Sequence, residues 1–216
     1  RYSKWSGSFL LEKCCHDLDL YNSVIGSRPE RVASFGGRKT FIPENDPRRE
    51  GINDMSLFHR KPTGWEGSDK VFDSDGDIID YQVAIIEYAN GVGMNFHTNL
   101  NAPDQFRRFA IFGTRGQAEG DFIRGYFDVH EVLNEKRTIH KEYATRTTLS
   151  QHYGADEKMA EEVIAHVMHA GPLPVSPLDA MEAGILAMAM DEAREKRTVI
   201  DLRPVWDRFD AALQKV

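Results

Sequence analysis

An acidic residue and a histidine that could exchange protons lie one helical turn apart near the start of the sequence. Glu12, His16 and Asp19 are spaced i, i+4 and i+7, which places their side chains on one helix face. A carboxylate one turn from an imidazole can orient the ring, which suits general acid–base catalysis. The same spacing is typical of a solvated polar face with an ion pair, so both interpretations stay open. Lys13 and Asp17 form a second such pair, for which a surface ion pair is the simpler interpretation.

The helix that carries these residues is predicted from about Glu12 to Ile25. Its apolar residues share one stripe on the face opposite Glu12, with helical spacing: Cys14, Leu18, Tyr21 and Ile25. Gly26 and Pro29 predict the end of the helix. Residues 30–38 are then predicted to form a strand.

The middle of the chain predicts an antiparallel meander. Residues 81–88 are rich in Val and Ile, Asn90-Gly91 is a strong hairpin signal, and residues 92–100 form the return strand. Four more strands are predicted at 107–112, 117–124, 126–133 and 138–145. His97 and Asn99 share one face of the return strand, where they could contact a polyol or simply face the solvent.

The last third of the chain is predicted to be helical. One helix spans 155–169, and a second begins at Ser176 as N-cap and ends near Lys196. A short extended piece, 199–202, precedes a final helix. This order differs from the βαβ alternation of a doubly wound sheet. The sequence therefore predicts a single α+β domain over residues 1–216, with a predominantly antiparallel open sheet and helices packed on one face.

The other face of this sheet is predicted to be solvated or to cover a partner. Val83, Ile85 and Phe96 could bury apolar surface there in a subunit contact.

Residues 43–77 lack periodicity and are predicted to form a long surface loop. Within it Asp73, Asp75 and Asp77 alternate as the first ligands of a calcium loop do. Ile78 and Ala84 stand where such a loop needs Gly and Glu. We therefore expect a solvated acidic turn and no metal site.

Composition and charge argue against several classes of function. The net charge of −7 and the lack of a basic run argue against nucleic-acid binding. No apolar stretch approaches the roughly 18 residues that a membrane helix needs. Cys14 and Cys15 are adjacent, a spacing that rarely forms a disulfide, so we expect reduced thiols and a cytoplasmic location. The chain lacks an initiating Met, and we expect it to start inside a longer polypeptide.

A dinucleotide-binding fingerprint is missing from the sequence. The nearest approach to Gly-x-Gly-x-x-Gly is Gly91-Val92-Gly93, which lies in a predicted hairpin turn and not between a strand and a helix.

Residues 6–19, Ser-Gly-Ser-Phe-Leu-Leu-Glu-Lys-Cys-Cys-His-Asp-Leu-Asp, resemble a known signature. It is the C-terminal-domain motif of the glucose–fructose oxidoreductase/inositol dehydrogenase (Gfo/Idh/MocA) oxidoreductases, roughly Gly-Gly-Gly-x-Leu-x-Asp-x-Gly-x-His-x-x-Asp. Segments 26–32, 87–91, 111–116 and 174–176 are also similar and follow in the expected order. Glu12 stands where Asp is usual, and Cys14 stands where Gly is usual.

The resemblance implies the C-terminal α+β domain of a two-domain, NAD(P)-dependent oxidoreductase whose Rossmann domain is absent from this chain. The implied substrate is a sugar, polyol or related hydroxy compound. His16 is implied to shuttle the substrate's hydroxyl proton, and Glu12 to orient His16 or bind a hydroxyl. We expect further substrate contacts from Asp19, His97 and Asn99. We expect cofactor contacts from Lys13 and Cys14.

The NAD or NADP cofactor is expected to be bound mainly by the missing N-terminal domain, so the isolated chain is expected to be inactive. The resemblance also implies a homodimer or homotetramer formed through the open sheet face. Two alternatives stay open. The chain could be a non-catalytic binding or dimerisation module of the same fold, or an acid–base enzyme such as an isomerase that uses Glu12 and His16 without a cofactor.

Overall fold

The computed structural model describes residues 6–54, 72, 76–102, 104–134, 137–142, 154–173 and 175–214. The chain divides into two compact units. Unit one is Arg1–Asn101 with Val175–Val216, and unit two is Ala102–Pro174. The prediction that residues 1–216 make one domain stays a prediction.

The described helices and strands follow the predicted order. A π-helical turn, Leu10–Cys14, leads directly into α1 (Cys15–Ile25). The strands are β1 (Pro29–Gly37), β2 (Tyr81–Tyr88), β3 (Gly93–Asn99), β4 (Arg108–Gly113), β5 (Gly116–Asp121), β6 (Tyr126–Glu131), β7 (Arg137–Glu142) and β8 (Ile200–Asp201). The other helices are α2 (Ala155–His169), α3 (Pro177–Lys196) and α4 (Arg203–Leu213).

Unit one contains a four-stranded sheet in the order β3-β2-β1-β8, and all its neighbours pair antiparallel. The predicted hairpin joins β2 to β3. Gly91 takes a φ of +84°, a conformation that glycine adopts at little cost, and its N–H donates to the Tyr88 carbonyl at 2.8 Å. The Tyr88 N–H donates to the Val92 carbonyl at 2.9 Å and Glu87 pairs with Gly93, so the loop is longer than the two-residue turn that the sequence favoured.

The core of unit one lies between one face of this sheet and the helices. Val32 on β1 and Ala84 and Ile86 on β2 alternate toward that face, as the two-residue period of a strand requires. Helices α1, α3 and α4 supply the opposing apolar side chains, which include Leu18, Leu186, Met190 and Trp206. The prediction of an α+β domain with helices on one face of an antiparallel sheet is confirmed for this unit.

Tyr88 places a polar group inside this core. Its hydroxyl donates to Asn22 Oδ1 on α1 at 2.8 Å, which satisfies the buried phenol and ties α1 to the sheet. Burial raises the pKa of Tyr88 above its ordinary value, so the phenol stays protonated at neutral pH.

Arg28 joins three helices at one end of unit one. It follows α1, its Nε donates to Glu182 on α3 at 2.7 Å, and its Nη1 donates to both Asp210 oxygens on α4 at 2.8 and 2.9 Å. The guanidinium carbon also lies 5.2 Å from the Trp206 ring centre and 5.7 Å from that of Phe209. The planar guanidinium of Arg holds its N–H donors in fixed directions, which suits hydrogen bonding to two carboxylates at once.

Helix α3 begins as the sequence predicts. The Ser176 hydroxyl accepts from the Asp179 N–H at 3.2 Å, and the Asp179 carboxylate accepts from the Ser176 N–H at 2.9 Å. This capping box satisfies backbone donors that the first turn of a helix leaves unpaired. Further along α3, Gly184 faces Leu11 in the π-helical turn, and a Cβ at Gly184 would lie 3.5 Å from Leu11 Cδ1.

The second face of the unit-one sheet is open among the described residues. Phe35 is 67% exposed, Ile85 65% and Val83 42%. The register places Phe35 opposite Val83, so these side chains are neighbours. The prediction for Phe96 was wrong: it is half-buried and packs against the core, because alternate residues of β3 point to opposite faces.

Unit two contains the second sheet, in the order β4-β5-β6-β7 and again antiparallel. Phe109 packs against Phe122 and Phe127, with ring centres 5.2 and 6.1 Å apart. On another part of the sheet, Asp128 is buried and is bound by Arg137 and His140. Helix α2 carries its apolar residues on the surface of the described structure.

The predicted loop at 43–77 lies largely outside the described residues, as do Asp73 and Asp75. Its described part contains two short 3-10 helices, Pro43–Asn45 and Pro47–Glu50. Just after it, the buried Asp80 carboxylate accepts from the N–H groups of Lys39, Thr40 and Phe41 at 2.6 to 3.0 Å. None of the helices in the described ranges combines the length and apolar character of a membrane span.

Candidate active-site face at the start of helix α1

The helix that carries His16 starts with a local hydrogen-bond motif. The Ser8 hydroxyl accepts from the Leu11 N–H at 3.1 Å, and Glu12 Oε1 accepts from the Gly7 N–H at 2.5 Å. In an ordinary capping box the acid accepts from the N–H of the capping serine itself. Here Glu12 accepts from the N–H of Gly7, the residue before Ser8, so the motif is one residue wider. A Cβ at Gly7 would lie 3.1 Å from Leu11 Cδ2, which explains why a small residue suits this position.

The π-helical turn changes the angle between Glu12 and His16. A π turn closes with i→i+5 bonds and rotates less per residue than an α-helix, so the uniform helical spacing assumed from the sequence does not hold here. The structure pairs Glu12 with Gly7, although Glu12 itself stays exposed.

His16 lies on the exposed side of α1, with 54% of its side chain accessible. Its Nε2 lies 3.4 Å from Asp17 Oδ2, and the Asp17 side chain is only 23% accessible. The imidazole therefore has a carboxylate neighbour, but this neighbour is the next residue and not the acid one turn earlier. Nothing in the residue spacing favours Asp17 as this neighbour, since consecutive helical residues normally point in different directions.

Asp19 faces the start of α3. Burial, and secondly the negative charge of Asp179, raise the pKa of Asp19 above its ordinary value. The pKa of Asp179 itself is lowered by its hydrogen bonds from Ser176. Sequence reasoning recognised Ser176 and Asp179 as a helix start and missed that they bring a second carboxylate toward Asp19.

The two expected cofactor contacts have different surroundings. Lys13 is exposed on the turn that carries Glu12, whereas Cys14 is 4% exposed and belongs to the core cluster. Only the Lys13 side chain is presented to a ligand on this face. Neither Cys14 nor Cys15 forms a disulfide among the described residues.

His97 and Asn99 lie apart from the α1 residues. Both are exposed on the open face of the sheet, opposite Val83 and Tyr81. Asn99 Oδ1 accepts from the Asn101 N–H at 2.7 Å. The structure thus brings Glu12, His16 and Asp19 to one helix and leaves His97 and Asn99 on the other side of the sheet.

The α1 face has the chemical means to move a proton at a hydroxyl group. An exposed imidazole can accept the proton, and the nearby carboxylates can accept hydrogen bonds from other hydroxyls of the same molecule. Among the described residues, no group of three or more His, Cys, Asp or Glu side chains could hold a metal ion.

A family model described as "Oxidoreductase family, C-terminal alpha/beta domain" matches residues 1–202, which include every element of the α1 face and the unit-one sheet. The chain belongs to this oxidoreductase family. The curated relative "Putative oxidoreductase YteT" of Bacillus subtilis is 22% identical over 253 residues, covering 95% of this chain and 57% of that protein.

Solved structures share the fold of this oxidoreductase-family domain. A levoglucosan dehydrogenase in complex with NADH and levoglucosan superposes with a TM-score of 0.65 at 16% identity, over 92% of this chain and 51% of that one. An oxidoreductase domain protein from Kribbella flavida gives a TM-score of 0.63 at 14% identity, over 91% and 50%. The UDP-N-acetylglucosamine 3-dehydrogenase GnnA of Acidithiobacillus ferrooxidans gives 0.56 at 15% identity, over 84% and 45%.

The chain spans about half the length of these structures and 57% of the curated relative. At these identities the solved structures establish the fold alone. The match confirms the predicted fold class and family.

Proposed function

We propose that this chain is the substrate-side domain of an NAD(P)-dependent oxidoreductase that acts on a sugar, a polyol or a related hydroxy compound. The observation that carries the proposal is the exposed His16, with the Asp17 carboxylate 3.4 Å from its ring, in a chain of the oxidoreductase family. The levoglucosan dehydrogenase neighbours, which were solved with NADH, support the class of cofactor and substrate.

The chemistry divides between the cofactor and this chain. Oxidation of a hydroxyl-bearing carbon releases a hydride, which a bound nicotinamide accepts, and a hydroxyl proton. We propose that His16 takes this proton, because its imidazole is accessible and a neutral imidazole nitrogen can accept one. We also propose that Asp19 and the second oxygen of Glu12 accept hydrogen bonds from other hydroxyls.

The described residues fit one end of the cofactor. Lys13 is exposed beside Glu12 and suits a polar or negatively charged part of NAD(P), while the thiol of Cys14 is buried. The sequence lacks the glycine-rich turn that cradles the pyrophosphate. We therefore propose that an N-terminal Rossmann domain of the full-length protein binds most of the cofactor, and that the isolated chain has no activity.

The test is a substrate panel on the full-length protein. Sugars and polyols, including levoglucosan and L-sorbose, are offered with NAD⁺ and with NADP⁺, and absorbance at 340 nm reports the reduced cofactor. We expect turnover on at least one compound and a loss on the order of 10²-fold or more in His16→Ala. His169→Ala, an exposed histidine on α2, is the matched control and should retain wild-type turnover. Equal turnover of the two variants would remove His16 from the mechanism.

A role in subunit contact is the second candidate, and the open sheet face favours it. Phe35, Val83 and Ile85 form a contiguous apolar surface that is costly to leave in water. We propose that a second copy covers it in a homodimer or homotetramer. Analytical ultracentrifugation should show an oligomer for the wild type and a monomer for Phe35→Asp. Leu133→Asp, which changes a residue 99% exposed in unit two, is the control and should stay oligomeric.

The cytoplasmic location is also proposed. It is supported by Cys14 and Cys15, which are not in a disulfide among the described residues, since disulfides are uncommon in reducing compartments.

A further inference from the structure

The acids at the start of α1 each have a different partner. Glu12 binds the Gly7 N–H and closes the helix start. Asp19 faces Asp179. Asp17 lies 3.4 Å from the imidazole of His16. The three carboxylates are close in sequence but have different neighbours in the structure.

We propose that Asp17 is the positioning residue for His16. It holds the ring by its Nε2 edge, so that Nδ1 is the nitrogen that takes the proton from the substrate hydroxyl. Glu12 keeps its helix-capping role and does not orient the ring. This inference rests on the proposed function, because it assigns a role within the same proton transfer.

The burial of the two side chains supports the proposal that Asp17 positions His16. The Asp17 side chain is 23% accessible and His16 is 54% accessible, so the carboxylate is the more enclosed of the two groups and is suited to fix the more exposed ring. A carboxylate beside one ring nitrogen favours the proton on that nitrogen, which leaves the other nitrogen as the acceptor. The 3.4 Å separation is long for a hydrogen bond, and such contacts tighten when substrate binds.

Glu12 has a different role from Asp17, at the start of the helix. Glu12 Oε1 is engaged by the Gly7 N–H, and the π-helical turn alters its angle to His16. The carboxylate that the structure places within 4 Å of the imidazole is that of Asp17, whereas Glu12 accepts from the backbone of residue 7. The two roles are therefore divided between Glu12 and Asp17.

The first test reads the ring directly and needs no turnover. The full-length protein is prepared with ¹⁵N-labelled histidine, and long-range ¹H–¹⁵N spectra at a pH where the rings are neutral report which nitrogen of His16 carries the proton. We expect the Nε2–H form in the wild type. In Asp17→Ala the two ¹⁵N shifts of His16 should move toward those of free histidine, and Asp17→Glu should restore them in part. Glu12→Gln should leave these shifts in place.

The second test uses the full-length enzyme and its best substrate from the panel. Asp17→Ala should lower kcat about 10-fold with little change in KM, since general base catalysis contributes about 10²- to 10⁴-fold and misorientation loses part of it. Asp17→Glu should recover part of the loss. Asp207→Asn, an exposed acid on α4, is the matched control and should turn over like the wild type.

The outcomes separate the two ideas. If the His16 shifts are the same in the wild type and in Asp17→Ala, the role of Asp17 is refuted whatever the enzyme does. If they move as expected but the full-length wild type turns over no compound of the panel, the positioning contact stands and the proposed function fails. A fall in kcat for Glu12→Gln with His16 shifts like those in Asp17→Ala would also overturn the assignment, because Glu12 would then orient the ring.

Discussion

Replacing Arg28 by alanine should destabilise unit one more than replacing an exposed charged residue such as Arg203. The guanidinium makes hydrogen bonds to Glu182 and to both oxygens of Asp210, and these contacts hold α3 and α4 against the end of α1. Hydrogen bonds that involve charged groups contribute about 1.5–3 kcal/mol each, and the contacts with the two aromatic rings add about 0.5–1 kcal/mol.

These contributions are reduced because 33% of the Arg28 side chain is accessible and water screens the ion pairs. They are also not additive, since one guanidinium makes all of them. We therefore expect Arg28→Ala to lower the free energy of unfolding by about 2–4 kcal/mol. Arg28→Lys keeps the charge but loses the planar fork, so its loss should be about half as large.

Urea unfolding followed by circular dichroism at 222 nm measures the effect. With a slope of roughly 2 kcal/mol per molar urea, the midpoint of Arg28→Ala should fall by about 1–2 M. Arg203→Ala is the matched control, because Arg203 pairs with Asp201 at an exposed position and should change the midpoint by less than about 0.3 M. Equal midpoints for the two variants would refute the idea that Arg28 joins the three helices.

Three further substitutions or conditions test other features. Gly36→Ala should cost about 1–3 kcal/mol in the same urea assay, because the new Cβ would lie 2.6 Å from the Tyr81 carbonyl oxygen and the strands must separate; an unchanged midpoint would contradict the register of β1 and β2. Ser176→Ala should cost about 1 kcal/mol through loss of the α3 cap, and Ser176→Thr should retain most of it. Hydrogen bonds from Arg203 lower the pKa of Asp201 to about 2, below the roughly 3.9 of an unfolded chain, so this pair stabilises the fold above about pH 4 and loses its effect as the pH falls toward 2. The stability difference between wild type and Arg203→Ala should accordingly shrink across that range, and a difference that grew on acidification would show the opposite sign.

Much of the fold could be predicted because its local signals agree with its tertiary structure. The Ser176 cap, the alternation in β2 and the Asn90-Gly91 hairpin each depend on neighbouring residues alone, and each lies where the sequence places it. The face of Phe96 was assigned wrongly because a two-residue turn at Asn90-Gly91 would pair Phe96 with Ile85, whereas the longer loop shifts the register and pairs Ile85 with Asn95.

The details of the site could not be predicted in the same way. The π-helical turn at Leu10–Cys14 changes the helical phase, and a sequence period that assumes a regular helix cannot detect it. The proximity of Asp19 to Asp179 depends on how α1 packs against α3, more than 150 residues later in the chain. Gln82 is fully buried, and its amide donates to Ser34 Oγ and to the Met190 carbonyl. Because glutamine is usually exposed, the sequence alone predicts a surface position for it.

Because Gly184 on α3 lies close to Leu11, a change at position 184 can affect the candidate site without altering its residues. Leu11 immediately precedes Glu12, so a larger side chain at position 184 would press on the turn that sets the direction of Glu12 and His16. A substitution on α3 would therefore act on this turn while Glu12 and His16 themselves stay unchanged. Comparisons among members of the family should accordingly include position 184 as well as residues 12 and 16.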